Sequence, residues 1–287
     1  MPKSVLAVIA ALALVAAAEP VEISQIDAAI ASGHLEIARS LVERAAIAAP
    51  LTPALELRKA ELLLAGNAAT QAVAAYAGLT VADPANAAAW QGLGLATLAT
   101  GDIAPASAAL DRALALDPAQ PRAWNALAVI ADRRKDWPAA EIAYGRALAL
   151  TPNDAQTLSN RGYSRILQGR DADAVADLTQ ALKLSPKLEV ARTNRRLALA
   201  MGGNYDAAFA GASRKDLVRD LNTVGFGAML HGDIAAARGY FSRAIEKNPE
   251  FDRTAWRNLA YLNSIAPRPT PGNNPALAPP AALAGKK

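Results

Sequence analysis

Apolar residues recur at spacings of three and four positions along residues 19–265, and the pattern is interrupted at regular intervals by a single loop residue. Such spacings place side chains on one face of a helix, so each stretch predicts an amphipathic helix of roughly a dozen residues. The loop residue is usually glycine, which accepts the left-handed conformation in which many helices end. The seven loop positions are Gly33, Asn67, Gly101, Lys135, Gly169, Gly203 and Gly232. The pattern therefore predicts a series of helix pairs.

Prolines set the period of this pattern. Five of them stand 34 residues apart, and a sixth follows after 63 residues. They are Pro50, Pro84, Pro118, Pro152, Pro186 and Pro249. Because proline disfavours helical geometry in the residue before it, each is predicted to close the second helix of a pair.

Residue size follows the same period. A bulky residue comes fourth in the unit, a small residue comes eighth, and a large residue recurs in the second helix. Examples of these three positions are Trp90, Gly94 and Leu110, then Leu158, Gly162 and Leu178, then Leu221, Gly225 and Phe241. Small residues let helix axes approach, and large ones fill the gaps between pairs. A single pair cannot bury its apolar face, whereas stacked pairs can.

The units predicted from this frame are 19–52, 53–86, 87–120, 121–154, 155–188, a short degenerate unit 189–217, and 218–251. A final helix over 252–265, with Trp256, Leu259 and Leu262 on one face, is predicted to cap the last pair. The predicted fold class is all-α, an α-α superhelix of about seven helical hairpins plus a C-terminal capping helix.

The degenerate unit 189–217 breaks the size pattern. Arg192 stands where a tryptophan or leucine belongs, Arg196 stands where a small residue belongs, and five residues are missing from the second helix. An unpaired buried guanidinium costs several kcal/mol, so we expect pairing with Asp206, Asp216 or Glu189, or helices that splay apart. The unit is either a bend in the array or a notch for a partner.

Both ends of the chain carry different patterns. Lys3 precedes an apolar run from Val5 to Ala18, which ends in small residues before Glu19, as in a secretory signal peptide over residues 1–18. A run of this length rises about 21 Å, short of the roughly 30 Å hydrocarbon core, so a retained anchor is the weaker alternative. Residues 266–287 contain six prolines and no apolar period, which predicts a disordered tail with polyproline-II character.

Composition narrows the class of protein. The chain is 52% apolar, which is too high for a disordered protein, and its richness in alanine with only 5% aromatic residues favours helices. It has no cysteine, which excludes disulfides, zinc–thiolate sites, thiol nucleophiles and a lipidated cysteine. A net charge of +4 gives no reason to expect nucleic-acid binding.

The sequence lacks the metalloprotease, phosphate-loop and serine-hydrolase motifs. Both histidines, His34 and His231, stand beside loop glycines, where surface residues are common. We therefore expect no enzymatic activity, no catalytic residue, no cofactor and no metal.

The 34-residue helix pairs described above resemble the tetratricopeptide repeat (TPR) family over about residues 19–265. The resemblance implies that the first helix of each unit lines a concave groove that binds protein segments. Residues at the groove-facing positions are Arg122, Asn125, Arg133, Gln156, Asn160, Tyr163, Asn194, Asn222, Phe226 and Met229. Further groove-facing positions hold, among others, Asp132, Thr193, Leu197 and Arg219. Asparagine amides can satisfy an extended peptide backbone, and the aromatic and methionine side chains offer apolar contact. Alternatively, some of these apolar residues only seal contacts between helix pairs.

Five arginines near the same positions form a candidate basic cluster: Arg161, Arg165, Arg192, Arg195 and Arg196. The cluster is either an attractor for an acidic segment or a solvated face.

An export signal, a TPR array and the stretch 221–233 (LNTVGFGAMLHGD) together resemble the TadD-type family of Flp (tight adherence) pilus assembly proteins. The lipoproteins of that family use a cysteine anchor that this sequence lacks. The resemblance implies an exported scaffold in the periplasm or envelope of a Gram-negative-type bacterium, with a secretin or another assembly component as its partner. The alternatives are a periplasmic chaperone or adaptor of another envelope complex, and an accessory maturation subunit of an enzyme. We expect peptide or helix segments of proteins as ligands, no nucleic acid, and no stable membrane span after cleavage.

Overall fold

A computed structural model describes residues 21–48, 52–247 and 253–266, and within these ranges it contains helices and connecting loops but no strand. The helices are α1 (Ile23–Ala31), α2 (Leu35–Ala48), α3 (Pro53–Ala65), α4 (Ala69–Ala82), α5 (Ala87–Thr100), α6 (Ile103–Leu116), α7 (Pro121–Arg133), α8 (Trp137–Leu150), α9 (Ala155–Leu167), α10 (Asp171–Leu184), α11 (Glu189–Met201), α12 (Tyr205–Phe209), α13 (Leu217–His231), α14 (Ile234–Lys247) and α15 (Arg253–Ile265). The predicted signal peptide, Pro50, Pro249 and residues 267–287 of the predicted tail lie outside the described residues.

The described helices form seven successive pairs and one final helix, which confirms the predicted all-α class. The chain divides into two compact units, residues 1–127 and 128–287. In the first unit, α1 packs on α2, α3 on α4 and α5 on α6, and successive pairs meet through α2–α3 and α4–α5. In the second unit, α9 packs on α10, α11 on α12 and α13 on α14, and α15 packs on α13 and α14.

Each loop between the two helices of a pair turns on a residue in the left-handed region. The φ angles at the seven predicted loop positions lie between 58° at Lys135 and 98° at Gly101. Side chains other than glycine rarely adopt this region, yet Lys135 and Asn67 do so here. The turn geometry is therefore the same whether or not the residue is glycine.

Close contact between the two helices of a pair explains the size pattern. A Cβ added to Gly94 would lie 2.6 Å from Leu110 Cγ, and one added to Gly162 would lie 2.6 Å from Leu178 Cγ. Gly225 stands in the same relation to Phe241, whose Cδ1 would lie 2.8 Å away. These large side chains are fully buried. They fit only because the eighth residue of the unit carries no side chain.

In two units the tryptophan at the fourth position is hydrogen-bonded to the loop before its helix pair. The indole Nε1 of Trp90 donates to the carbonyl oxygen of Pro84 at 3.1 Å, and that of Trp124 donates to Pro118 at 2.9 Å. In the degenerate unit the Arg192 guanidinium donates to the carbonyl oxygen of Pro186. Arg192 therefore takes over the hydrogen bond that tryptophan makes elsewhere.

Arg196, at the small-residue position of the degenerate unit, is buried and fully engaged. Its Nε donates to the carbonyl oxygen of Ala208 at 2.7 Å, and its Nη1 donates to Asp220 Oδ1 at 2.7 Å. The short second helix α12 ends at Phe209, and the Arg196 side chain reaches a carbonyl oxygen beside that end. Its carboxylate partner is Asp220, which we did not anticipate.

Burial lowers the pKa of Arg196 and raises the pKa of Asp220, while the contact between the two charges opposes both shifts. Both side chains are at most 4% exposed. A buried ion pair of this kind adds little net stability as a whole, but removal of one partner is costly because the other charge stays buried.

The face of the final helix that packs against the rest of the protein differs slightly from the predicted face. Ala255 and Leu262 are fully buried, and Leu259 packs against the cluster around Phe241. Trp256, which we expected on this face, is 53% exposed. Residues 255, 259 and 262 follow the four-then-three spacing of one helical face, and residue 256 is rotated about 100° away from residue 255.

The glycine contact predicts opposite effects for two substitutions. Gly162→Ala should lower the free energy of unfolding by about 1–3 kcal/mol, because Leu178 must move within a packed core. Gly145→Ala is the matched control: its Cβ meets no described atom within 4 Å, so the higher helix propensity of alanine should stabilise by up to about 1 kcal/mol. Urea unfolding measures both, and equal effects would contradict the packing account.

The buried Arg196–Asp220 ion pair predicts that substitutions of its two residues have strongly coupled effects on the free energy of unfolding. Arg196→Met and Asp220→Leu should each destabilise the protein by about 3–5 kcal/mol, because each leaves one buried charge without its partner. The double variant should regain most of that loss. Unfolding free energies of the four proteins give the coupling energy, and simply additive losses would show that the pair does not act as a unit.

Candidate protein-binding groove

Helices α11, α13 and α15 of the second unit border an open groove of about 580 Å³, called here the C-terminal groove. Its lining residues are Thr193, Leu197, Val218, Arg219, Asn222, Thr223, Phe226, Thr254 and Asn258. Five residues at the predicted groove-facing positions belong to it: Thr193, Leu197, Arg219, Asn222 and Phe226. Thr254 and Asn258 were not predicted, because we assigned their helix only a capping role.

The groove is built from pairs of residues four apart. Thr193 and Leu197 share one face of α11, Asn222 and Phe226 share one face of α13, and α15 contributes Thr254 and Asn258 in the same way. Residues four apart lie one turn above each other, so each helix presents a short continuous wall.

The distance between α11 and α13 is set by a glycine of α13 that packs directly against α11. A Cβ added to Gly227 would lie 2.4 Å from Ala200 Cβ and 3.1 Å from the carbonyl oxygen of Leu197. Gly227 and Ala200 are buried at this crossing. Because the two helices approach closely, their groove-lining residues lie side by side along one groove.

The single charged residue lining the C-terminal groove is balanced by neighbouring carboxylates. Arg219 lies 3.2 Å from Asp216, 3.4 Å from Glu189 and 3.7 Å from Asp220. Glu189 also pairs with Arg192. The lining is therefore apolar, hydroxyl and amide in character, with an ion-pair network at its edge.

Three other predicted groove residues share one face of α9. Gln156 Nε2 donates to Asn160 Oδ1 at 3.0 Å, and Tyr163 follows one turn later with 45% of its surface exposed. They form a polar and aromatic strip of the second unit, separate from the residues that line the C-terminal groove.

The remaining predicted groove residues are dispersed. Arg122, in the first unit, forms an ion pair with Glu61 at 2.8 Å, and Asn125 on the same helix is partly buried. Arg133 is exposed, and Asn194 is partly buried on α11. Met229 packs against the core cluster around Phe241, as the alternative interpretation of some apolar positions anticipated.

Asp132 on α7 links three helices of the second unit through hydrogen bonds. Its carboxylate accepts from Tyr144 OH at 2.8 Å and from Ser164 Oγ at 2.6 Å, and Gln168 Nε2 donates to Ser164 Oγ at 3.0 Å. Burial raises the pKa of Asp132, although the two hydrogen bonds to its carboxylate oppose the shift. Both carboxylate oxygens are engaged by the protein itself, which fits a structural role.

The candidate basic cluster is separated into internally paired groups. Arg161 binds Asp177 through two hydrogen bonds of 2.8 Å, and Arg165 contacts both Asp177 and Glu141. Arg192 and Arg196 pair with Glu189 and Asp220, as described above. Arg195 donates to Thr179 Oγ1 at 2.9 Å. These carboxylates offset the charge of four of the five arginines, and binding of an acidic segment stays a prediction.

The part of the chain that the structure describes contains no group of three or more histidine, aspartate or glutamate side chains placed to hold a metal ion. None of the helices within the described ranges has the length and apolar character needed to cross a bilayer.

The geometry defines an all-α repeat protein made of helical hairpins. A family model described as tetratricopeptide repeat matches residues 23–87 and 91–156. This part of the chain is similar to tetratricopeptide repeats, and helical hairpins of the same kind continue beyond it. No curated protein sequence matches it.

Solved structures share this fold. A chain of the APC/C hetero-tetramer Cut9–Hcn1 is 16% identical with a TM-score of 0.66, over 83% of this chain and 48% of that chain, so the match spans about half of its length. A thermophilic TPR protein of Thermus thermophilus is 21% identical with a TM-score of 0.55, over 62% of this chain and 96% of that one. PilF of Pseudomonas aeruginosa is 17% identical with a TM-score of 0.55, over 75% of this chain and 97% of that one.

The arginine–carboxylate network predicts a pH dependence. Burial alone would raise the pKa of Glu141, but the hydrogen bond from Arg165 and the charges of Arg165, Arg170 and Arg161 lower it below its ordinary 4.5. The folded protein thus favours the ionised form, so this stabilisation is present above pH 4.5 and is lost as the pH falls through the lower folded value.

Glu141→Gln should therefore destabilise the protein at neutral pH, and the difference from the parent should shrink below pH 4.5. Urea unfolding at several pH values measures this. Glu246→Gln is the control, because Glu246 is exposed and forms no ion pair with another described residue. A difference for Glu141→Gln that stays constant down to about pH 3 would contradict the assignment.

Proposed function

We propose that this chain is a non-catalytic TPR scaffold that binds an extended segment of a protein partner in the C-terminal groove. The observation that carries the proposal is the groove itself: about 580 Å³ of open volume between three helices, with Phe226 38% exposed within it. A partly exposed aromatic side chain in a groove is a typical contact point for a side chain of a binding partner.

The lining chemistry suits an extended polypeptide. Leu197, Val218 and Phe226 offer apolar contact, while threonine hydroxyls and asparagine amides can donate and accept hydrogen bonds. A peptide backbone in extended form presents both kinds of polar group, and its alternate side chains enter apolar pockets. Because Arg219 is balanced by Glu189 and Asp216, the groove favours a segment with little net charge.

We place this activity in the assembly of a Flp/Tad pilus or a related secretion machine in a Gram-negative-type cell envelope. The support is the signal-like sequence of residues 1–18 and the resemblance of the stretch 221–233 to TadD-type proteins. The proposed partner is a secretin or another assembly component. Its contact with the scaffold would be held by shape and hydrogen bonding, with no catalytic step.

Site-specific photocrosslinking in the native cell tests this proposal. A photoreactive amino acid replaces Phe226, Tyr163 or, as the control, Arg146, which is exposed on the second helix of its pair. We expect covalent adducts from Phe226 and Tyr163 that mass spectrometry identifies as an envelope assembly component. Labelling from Phe226 no stronger than from Arg146 would overturn the binding proposal, and an adduct with an unrelated cytoplasmic protein would overturn the proposed location.

A further inference from the structure

Three polar side chains on the walls of the C-terminal groove have no hydrogen-bond partner among the described residues. They are Thr193 on α11 and Thr254 and Asn258 on α15. Each can donate a hydrogen bond into the groove. The groove therefore offers hydrogen-bond donors on two walls and apolar contacts from Leu197 and Phe226.

Helix α15 both forms a wall of the groove and leads into residues 267–287. Asn258 lies eight residues before Ala266, which corresponds to about 12 Å along the helix. An extended tail rising about 3.1 Å per residue covers that return distance with about four residues. The length of chain beyond Ala266 is more than sufficient to reach the groove.

The sequence of this tail matches the chemistry of the groove. Residues 269–285 contain no charged side chain. Gly272, Asn273 and Asn274 stand between two prolines, as expected of a turn that reverses the chain. They are followed by residues 275–283, which consist only of proline, alanine and leucine.

We infer that residues 275–283 dock in the C-terminal groove of their own chain and compete there with the partner. The inference rests on the proposed function, because it assigns an internal competitor to the same groove. Proline carbonyls accept hydrogen bonds and come without a backbone N–H, so they suit walls that donate from Thr193, Thr254 and Asn258.

The spacing of the two leucines supports this occupant. Leu277 and Leu283 are six residues apart, which is two full turns of a polyproline-II helix with three residues per turn. Both side chains would thus lie on one face of the docked segment. That face packs on Leu197, Val218 and Phe226 and removes their apolar surface from water.

A tethered segment needs only weak intrinsic affinity. A short flexible connection gives an effective concentration of about 1 mM, so an intrinsic Kd of about 0.1 mM would leave the groove roughly 90% occupied. A partner with higher affinity would displace the tail.

Thiol labelling tests the inference, because the chain has no cysteine of its own and a single introduced cysteine is unique. The full chain with Thr193→Cys reports on the groove, and the full chain with Arg146→Cys reports on an exposed site elsewhere. Each is prepared with the unchanged tail, with Leu277→Asp, and with Thr270→Asp as the matched tail control.

We expect Leu277→Asp to speed labelling of Thr193→Cys about tenfold, since a charged side chain opposes docking on apolar residues. Thr270→Asp should leave the rate unchanged, and Arg146→Cys should label at one rate in all three backgrounds. A synthetic peptide of residues 269–285, added to the Leu277→Asp chain, should slow labelling of Thr193→Cys again.

Equal labelling rates for Thr193→Cys with and without Leu277→Asp would overturn the inference, and so would an equal acceleration by Thr270→Asp. Crosslinking from Phe226 separates this result from the proposed function. Adducts with a partner alongside equal thiol rates would leave the scaffold proposal standing without the tail. Protection by the tail without any adduct, even with Leu277→Asp, would support the inference and overturn the scaffold proposal.

Discussion

The contact between a residue without a side chain and a large buried side chain governs the packing of three helix pairs of this protein. At Gly94, Gly162 and Gly225, an added Cβ would come within 2.6–2.8 Å of Leu110, Leu178 or Phe241. This contact fixes which face of the first helix turns toward the second. The remaining faces are thereby fixed as well, including the one that carries residues such as Asn222 and Phe226. The packing of the core thus determines which side chains of the first helix are available to line a groove.

The degenerate unit keeps its first helix in place by a different interaction. Arg196 stands at the position of the small residue, and its side chain reaches Asp220 on the next helix pair. A buried ion pair thus joins the short helix pair to the next one. Because α11 of this unit supplies Thr193 and Leu197 to the C-terminal groove, the irregular unit contributes to the candidate site. That the unit serves as a notch for a partner stays a prediction.

Much of the fold followed from the sequence because it depends on local geometry. Six of the seven loop positions stand 34 residues apart, and the contacts of Gly94 and Gly162 with leucine follow the same frame, so periodicity identified them. The tertiary pairings did not follow in this way. Asp220 lies 24 residues after Arg196 and on the next helix pair, so no local spacing identifies it as the partner. Asp177 and Glu141 neutralise arginines from neighbouring helices, which no spacing within one helix reveals. Thr254 and Asn258 could be assigned to the groove only from the position of α15, which the sequence pattern does not give.

The central claim is that the C-terminal groove accepts an uncharged, extended, proline-rich segment. Fluorine NMR of the full Leu277→Asp chain labelled with fluorophenylalanine tests it directly, because the chain has four phenylalanines and only Phe226 lines the described groove. On titration with the peptide of residues 269–285, the account predicts a saturable shift of the Phe226 resonance, with the buried Phe209 and Phe241 unchanged. An unmoved Phe226 resonance, or equal shifts of the buried rings, would contradict it.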